Sequence, residues 1–221
     1  MPYIARMTRK IVAGIFVGGM SSRMNGGPGG PPKGMLAAPD GRAIVARCRD
    51  LLVEIGAVPL LIGRRAGYES IGLETVPDAH EDAGAGPLAG LCALLARAGA
   101  PDDDDTYALA IACDMPFVTR ALLERLLGAP PAVAVAPRDR EGRWQPFFAR
   151  YDVGLARPFV ERRLDAIISK SEERPPRSLQ SLLDTLGAVP LALDDADAGA
   201  LTDWDTPADV EGTRRASARG P

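Results

Sequence analysis

A glycine-rich segment follows the first apolar run of the chain, Ile11–Val17, and carries residue types that bind phosphate. Adjacent glycines let the backbone turn sharply and approach a ligand, so that successive amide groups can point at phosphate oxygens. An arginine and, after a Gly/Pro stretch, a lysine add positive charge. The sequence therefore predicts an anion cradle made of Gly18, Gly19, Met20, Ser21, Ser22, Arg23 and Lys33.

The cradle differs from the two best-known phosphate motifs. Lys33 stands between Pro32 and Gly34, so the G-x-x-x-x-G-K-[ST] spacing does not occur, and neither does G-x-G-x-x-G. A pair of glycines after a strand is common and by itself a weak signal. The basic residues on either side of the flexible segment Gly26–Gly30 favour phosphate binding over a purely structural connection.

An acidic residue, Asp114, follows the third apolar run that is predicted to form a strand, Tyr107–Ala112. An acid at the carboxyl end of a central parallel strand lies in the crevice where open α/β sheets bind ligands. Asp114 could instead cap the next helix, but Thr119 is better placed for that cap. The chain has a single histidine, His80, so carboxylates are the expected metal ligands. We therefore predict that Asp114 binds a metal ion.

Two further carboxylates occur near the end of the chain, at Asp203 and Asp205. In an extended segment alternate residues point to the same side, so both could face one ligand. Asp205 is predicted to be a second metal ligand. A role for Asp205 as the N-cap of the helix that starts near Thr206 and Pro207 remains a serious alternative.

The elements that must position these residues alternate between apolar, β-rich runs and segments with helical spacing. The predicted strands are Ile11–Val17, Val58–Gly63, Tyr107–Ala112, Ala132–Ala136 and Ala188–Leu193. Most are apolar throughout, as is typical of strands buried on both faces. Thr119 and Ser178 stand where helix N-caps are expected. This alternation predicts an α/β fold, a three-layer, doubly wound and mostly parallel sheet.

Composition narrows the class of protein. A chain of 221 residues with 46% hydrophobic residues can bury one sizeable core, so we expect a single domain over 1–221, with its core at about 10–213 and flexible termini.

The net charge of −3 argues against nucleic acid as a partner. The three cysteines show no metal-type spacing and are expected to be buried thiols. With no long apolar segment and no leader, we expect no membrane association and a cytoplasmic location.

Taken together, the motifs resemble the molybdenum cofactor guanylyltransferases, a MobA-like nucleotidyltransferase family. The resemblance covers most of the chain, and its carriers occur in the family's order. They are Phe16–Met24 with Lys33, Val76–Asp78, Gly86–Leu91, Cys113–Phe117, Gln145–Phe147, Arg177–Leu179 and Asp205–Asp209. Singly each is weak, and together they are fairly specific.

The resemblance implies transfer of GMP from GTP to the phosphate of molybdopterin, with release of pyrophosphate. Both substrates are small molecules, and the product would pass to molybdoenzymes or their chaperones. The attacking phosphate is already ionised near neutral pH, so the enzyme needs positioning and charge neutralisation rather than a strong base. Lys33 would lie against the α-phosphate, Arg23 would hold the leaving phosphates, and Asp114 with Asp205 would hold Mg²⁺.

The same resemblance implies a nucleotide site built from two turns. The strand end at Val17 and Gly18 and the turn Gly86–Gly90 would frame the nucleoside, and Asp78 would contribute from a short acidic turn. The implied nucleotide-binding residues outside the cradle are Val17, Asp78, Gly86, Pro87, Leu88 and Gly90.

Three alternatives stay open at the level of sequence. A cytidylyltransferase or a sugar-phosphate nucleotidyltransferase would share the cradle and the metal residues. Asp203 and Asp205 stand where some guanylyltransferases have asparagines, a form closer to the cytidylyltransferases. A nucleotide-binding accessory protein without turnover is the third, because Asn25 and Pro32 depart from the family pattern.

Overall fold

Seven strands form one sheet in the computed structural model, which describes residues 9–17, 32–80, 84–99, 105–170, 175–204, 209 and 211. The strands are β1 (Lys10–Phe16), β2 (Val58–Ile62), β3 (Thr75–Val76), β4 (Thr106–Ala112), β5 (Ala134–Pro137), β6 (Phe148–Asp152) and β7 (Val189–Leu191). Their order across the sheet is β3-β2-β1-β4-β6-β5-β7. Only β6 runs antiparallel to its neighbours among these strands. The predicted doubly wound, mostly parallel sheet is confirmed.

Six helices in the described ranges cover this sheet. They are α1 (Ile44–Glu54), α2 (Pro87–Ala98), α3 (Arg120–Gly128), α4 (Val153–Ile168), α5 (Leu179–Thr185) and α6 (Asp195–Ala200), with short 3₁₀ turns at Lys33–Met35 and Glu69–Ile71. The Thr119 side chain accepts a hydrogen bond from the Leu122 N–H, and Ser178 accepts one from the Gln180 N–H. Both predicted N-caps are therefore confirmed, and Asp114 is not the cap of α3.

The hydrophobic core is divided between the two faces of the sheet. Alternate residues of β1 point to opposite faces, so Val12 packs with α2, α4 and α5, whereas Ala13 packs with α1 and α3. Cys48, Cys92 and Cys113 are buried free thiols, as predicted. Among the described residues, no helix is long and apolar enough to cross a membrane.

Strand β6 was missed in the sequence because its alternate residues are charged. Arg150 nevertheless lies inside the sheet, between β4 and β5, with no exposed surface. Its guanidinium donates hydrogen bonds to the carbonyl oxygens of Leu127, Ala129 and Pro130, at the end of α3. These acceptors compensate for much of the water lost around the charge, although the buried Nε atom has no hydrogen-bond partner among the described residues. Burial still lowers the pKa of Arg150 from its usual value.

The sheet has a topological switch point at β1, because the chain passes to β2 on one side and to β4 on the other. Backbone pairing continues past the strand ends, since the Val17 N–H donates to the Ile62 oxygen and the Cys113 N–H donates to the Phe16 oxygen. Val17 and Cys113 therefore lie side by side at the carboxyl edge, where sheets of this kind bind ligands.

Candidate active site

A cavity of about 360 Å³ opens at the switch point. Its walls come from the ends of β1, β2 and β4, from the start of α2, and from the segment that precedes β6. The lining residues are Phe16, Val17, Lys33, Ile62, Arg65, Tyr68, Asp78, Gly86, Pro87, Gly90, Ala112, Cys113, Asp114, Met115, Gln145, Phe147 and Asp203. The predicted residues Val17, Lys33, Asp78, Gly86, Pro87, Gly90 and Asp114 are therefore brought together in one cavity.

Lys33 and Asp114 form an ion pair in this cavity, with 3.3 Å between Nζ and Oδ2. Lys33 begins a 3₁₀ turn that follows Pro32, and Asp114 follows β4. The two side chains are 15% and 19% exposed, so the pair is largely shielded from water. Shielding strengthens the attraction between charges, and an anion entering here would meet a cation that is already held in place.

Another part of the cavity wall is formed where α2 packs on the strand ends. A Cβ atom added to Gly90 would lie 2.9 Å from the Asp78 Oδ1 atom and 2.9 Å from the Phe16 ring. Only glycine leaves room for the acid and the ring at this distance. The Phe16 ring also lies 4.9 Å from the Phe147 ring, measured between centroids. This end of the cavity therefore offers aromatic surface and one carboxylate, groups suited to contact with a nucleoside.

The turn that enters α2 carries the other predicted nucleotide residues. Gly86 has φ 60° and ψ −141°, a conformation that is open almost only to glycine, and Pro87 is at the first helical position. Leu88 has no exposed surface and belongs to the hydrophobic core rather than to the cavity wall. The side chain of Leu88 thus supports α2, while Gly86 and Pro87 face the cavity.

Asp203 reaches the cavity because the next residue anchors the chain beside it. The Trp204 N–H donates to the backbone oxygen of Asp114 over 3.0 Å. The indole is 2% exposed and packs with Ala38 and Ile44, with the Phe117 ring edge-on to it at 6.0 Å. Asp203 is therefore carried to the edge at which Asp114 lies, and Trp204 acts as a packing anchor.

The chemistry of these donors fits a magnesium ion. Asp114 and Asp203 supply carboxylate oxygens to one cavity. No cluster of three or more potential ligands occurs among the residues that the structure describes. Mg²⁺ is commonly held by one or two carboxylates together with water and substrate phosphates, so two acids are a sufficient protein contribution.

Several cavity residues were missing from the predicted site. Arg65 and Tyr68 lie in the connection that follows β2, and Gln145 and Phe147 precede β6. Gln145 and Phe147 were named as carriers of the resemblance. Arg65 and Tyr68 could have been found from their position after a parallel strand, because such connections border the ligand crevice. The neighbouring Trp144 is 4% exposed and donates hydrogen bonds to Gln180 and Asp184, so it packs in the core.

The remaining predicted site residues lie outside the described part of the chain. They are Gly18, Gly19, Met20, Ser21, Ser22, Arg23 and Asp205. Val17 and Pro32 are described, and the cradle residues Gly18 to Arg23 lie between them in the sequence. The roles assigned to these residues stay predictions.

The cavity also contains a thiol and a phenol that are neutral. Burial, and then the neighbouring Asp114 charge, raises the pKa of Cys113 to about 11. Burial also raises the pKa of Tyr68 above its usual value. Neither group is suited to act as a nucleophile near neutral pH. The charged chemistry of the described cavity therefore rests on Lys33, Arg65 and its carboxylates.

Solved structures share this fold at low sequence identity. A nucleotidyl transferase from Methanothermobacter has a TM-score of 0.66 and 16% identity, with 96% of this chain and 99% of that chain covered. A 2-C-methyl-D-erythritol 4-phosphate cytidylyltransferase from Thermus thermophilus has a TM-score of 0.56 and 16% identity, with 96% and 100% covered. These similarities support the fold assignment.

Sequence comparison identifies the family. A molybdenum cofactor guanylyltransferase from Ralstonia nicotianae is 35% identical over 161 residues, which are 67% of this chain and 74% of the relative. The enzyme of that name from Rhodobacter capsulatus is 30% identical over 168 residues, or 75% and 79% of the two chains. The family model described as a MobA-like NTP transferase domain matches residues 13–191, which include both Lys33 and Asp114. The chain belongs to the MobA-like NTP transferase family, and it is a nucleotidyltransferase.

Proposed function

We propose that this protein transfers GMP from GTP to the phosphate of molybdopterin and releases pyrophosphate. The observation that carries the proposal is the Lys33–Asp114 pair, 3.3 Å apart, in the cavity at the switch point of the sheet. Relatives named molybdenum cofactor guanylyltransferases support the choice of substrates. Transfer of the product to molybdoenzymes or their chaperones stays a prediction from the resemblance.

Transfer requires two anions to come together. The acceptor phosphate attacks the α-phosphorus of the nucleotide, a new P–O bond forms, and the bond to the β-phosphate oxygen breaks, so that pyrophosphate leaves with its electron pair. A phosphate monoester is mostly ionised at neutral pH, so no protein base has to remove a proton. The Lys33 ammonium would offset negative charge that builds on the α-phosphate, and Arg23 would hold the departing phosphates.

Asp114 and Asp203 are the described carboxylates that would hold Mg²⁺, with Asp205 as a further ligand. When bound, the ion would screen the repulsion between the two phosphate groups. Asp203 is held at the edge that carries Asp114, because the Trp204 N–H donates to the backbone oxygen of Asp114. That rigid attachment limits the reorganisation needed when substrate arrives.

The nucleoside would occupy the end of the cavity near Gly90. Phe16 and Phe147 offer apolar surface there, and Asp78 offers hydrogen-bond acceptors. A carboxylate can accept two N–H groups from a guanine edge, or one from a cytosine. The aromatic rings together with the Asp78 carboxylate therefore favour a nucleobase that carries adjacent N–H donors.

The acceptor would approach along a second, more open groove. It shares Pro87 and Phe147 with the cavity and is also lined by Pro146, Arg177, Ser178, Leu179 and Gln180. The Arg177 guanidinium donates to the Gly84 oxygen over 2.6 Å, which fixes a positive charge near this groove. A phosphorylated acceptor arriving from this side would meet a cation before it reaches the ion pair.

Nucleotide preference can be tested directly by thermal unfolding in the presence of GTP, CTP, UTP and dTTP, each with Mg²⁺. A ligand at about 100 times its Kd stabilises the fold by roughly 2.7 kcal/mol, and we expect GTP to give the largest shift. Release of pyrophosphate from GTP should then require molybdopterin. A larger shift with CTP would overturn the guanine assignment. Tight binding without pyrophosphate release from any phosphorylated acceptor would identify an accessory protein instead.

A further inference from the structure

Tyr68 contacts the chain neighbours of both members of the Lys33–Asp114 pair. It comes from the connection after β2 and is 4% exposed. Its hydroxyl oxygen accepts a hydrogen bond from the Gly34 N–H over 3.2 Å. The same hydroxyl lies 3.7 Å from the Cys113 Sγ atom, to which it donates.

The hydrogen bond to Tyr68 gives the Gly34 N–H an acceptor that the backbone of the turn does not provide. In a short helical turn the first N–H groups have no partner within the turn. Met35 and Leu36 donate to the carbonyl oxygens of Pro32 and Lys33, whereas the Gly34 N–H is directed to Tyr68. The phenol therefore fixes the turn at the residue that follows Lys33.

Close packing keeps this contact in place. A Cβ atom added to Gly34 would lie 3.0 Å from both the Cε1 atom and the hydroxyl oxygen of Tyr68, and 3.1 Å from the Cys113 Cβ atom. The turn, the tyrosine and the end of β4 thus meet at van der Waals distance. A shift of the turn away from β4 would break the hydrogen bond that Tyr68 accepts.

We infer that Tyr68 is a positioning residue, which holds the turn carrying Lys33 against the strand end carrying Asp114. It sets the 3.3 Å separation of the ammonium and the carboxylate within the protein itself. This inference rests on the proposed function, in which Lys33 faces the α-phosphate. Tyr68 acts through Lys33 and does not take part in bond making.

The test is a double-mutant cycle with Tyr68→Phe and Lys33→Ala, read as pyrophosphate release. Tyr68→Phe keeps the buried ring and removes only the hydroxyl. Since misplacement of a reacting group by about 1 Å can cost 10²-fold, we expect kcat to fall by about 10- to 100-fold while the KM for GTP stays within about twofold. In the Lys33→Ala background the same change should have no further effect on kcat.

A matched control is Tyr151→Phe. Tyr151 is also fully buried, its hydroxyl has no hydrogen-bond partner among the described residues, and it packs in the core on the α2 and α4 face. We expect the control to leave kcat unchanged, which separates loss of a buried hydroxyl in general from loss of this one.

An unchanged kcat in Tyr68→Phe, or a loss that adds fully to that of Lys33→Ala, would overturn the inference. If the wild-type protein releases no pyrophosphate from any nucleotide, the proposed function fails, and a crystal structure of Tyr68→Phe decides the inference. Displacement of Lys33 Nζ beyond hydrogen-bond distance from Asp114 would support it. Retention of the pair at its present separation would overturn it.

Discussion

Lys33 Nζ lies 3.3 Å from Asp114 Oδ2, although 81 positions separate the two residues in the sequence. The lysine comes from a turn beyond β1 and the acid from the end of β4, and these strands are direct neighbours in the sheet. The pair joins a cation suited to phosphate with a carboxylate suited to a divalent ion. It is the part of the site on which the proposed transfer depends most.

Removal of the lysine should abolish most turnover without unfolding the protein. We expect Lys33→Ala to lower kcat for pyrophosphate release by about 10²- to 10³-fold, the effect of removing one preorganised donor from a site that stabilises developing charge. Lys10→Ala is the control, because Lys10 is at the opposite end of β1 and donates to the Ala98 oxygen. Equal rates in the two variants would exclude Lys33 from the reaction.

Asp203 should influence how tightly the ion is held. We expect Asp203→Asn to raise the Mg²⁺ concentration for half-maximal rate by about tenfold or more, since even groups that only support a metal ligand contribute 10- to 100-fold to affinity. Asp195→Asn is the control, because the Asp195 side chain is 98% exposed on α6. An unchanged magnesium requirement in Asp203→Asn would show that Asp203 is not a ligand.

Gly90 should tolerate no side chain. An added methyl group would meet side-chain atoms of Asp78 and Phe16 at 2.9 Å and of Ile62 at 3.2 Å, so these side chains or α2 must shift. We expect Gly90→Ala to raise the KM for GTP and to lower the free energy of unfolding by about 1–3 kcal/mol. Steady-state kinetics and urea denaturation measure the two effects.

Gly128→Ala is the matched control for Gly90→Ala. An added Cβ at Gly128, the last residue of α3, would meet no atom within 4 Å. Such a substitution typically stabilises a helix by a few tenths of a kcal/mol up to about 1 kcal/mol. A Gly90→Ala variant that behaved like Gly128→Ala would contradict the tight packing at the cavity wall.

Alkaline pH should destabilise the fold through buried thiols. Burial raises the pKa of Cys48 from 9.0 to about 12. Between these values the unfolded thiol loses its proton while the folded one keeps it, so the unfolded state binds fewer protons and stability falls as pH rises. Each such thiol contributes a slope of at most about 1.4 kcal/mol per pH unit. Urea denaturation at a series of pH values above 9 should show a shallower decline for Cys48→Ala, and an identical slope would contradict the assignment.

Sequence reasoning located the ends of β1 and β4 because both strands are apolar on both faces and are followed by chemically distinctive residues. It did not detect β6, whose Arg150 and Asp152 read as surface positions. Arg150 becomes buried only because carbonyl groups at the end of α3 surround its guanidinium. That environment exists only in the folded chain, so a local pattern could not reveal it.

The site was predictable to a similar extent. Lys33, Asp114 and the turn at Gly86 are marked by neighbouring glycine or proline and by their positions after strands. Tyr68 carries no such mark, because its role depends on the spacing between Gly34 and Cys113, which are distant in sequence and close in space. Contacts of this kind appear only when the tertiary arrangement is known.

The reversed direction of β6 has a consequence for how the cavity can diversify. Because β6 runs against β4 and β5, the stretch that leads into it, and not the one that leaves it, arrives at the ligand edge with Gln145 and Phe147. The residues of this wall belong to a different segment of the chain from Lys33 and Asp114, although the Phe147 oxygen accepts a hydrogen bond from the Ala112 N–H of β4. Substitutions at Gln145 or Phe147 can therefore change substrate selectivity while Lys33 and Asp114 keep their geometry.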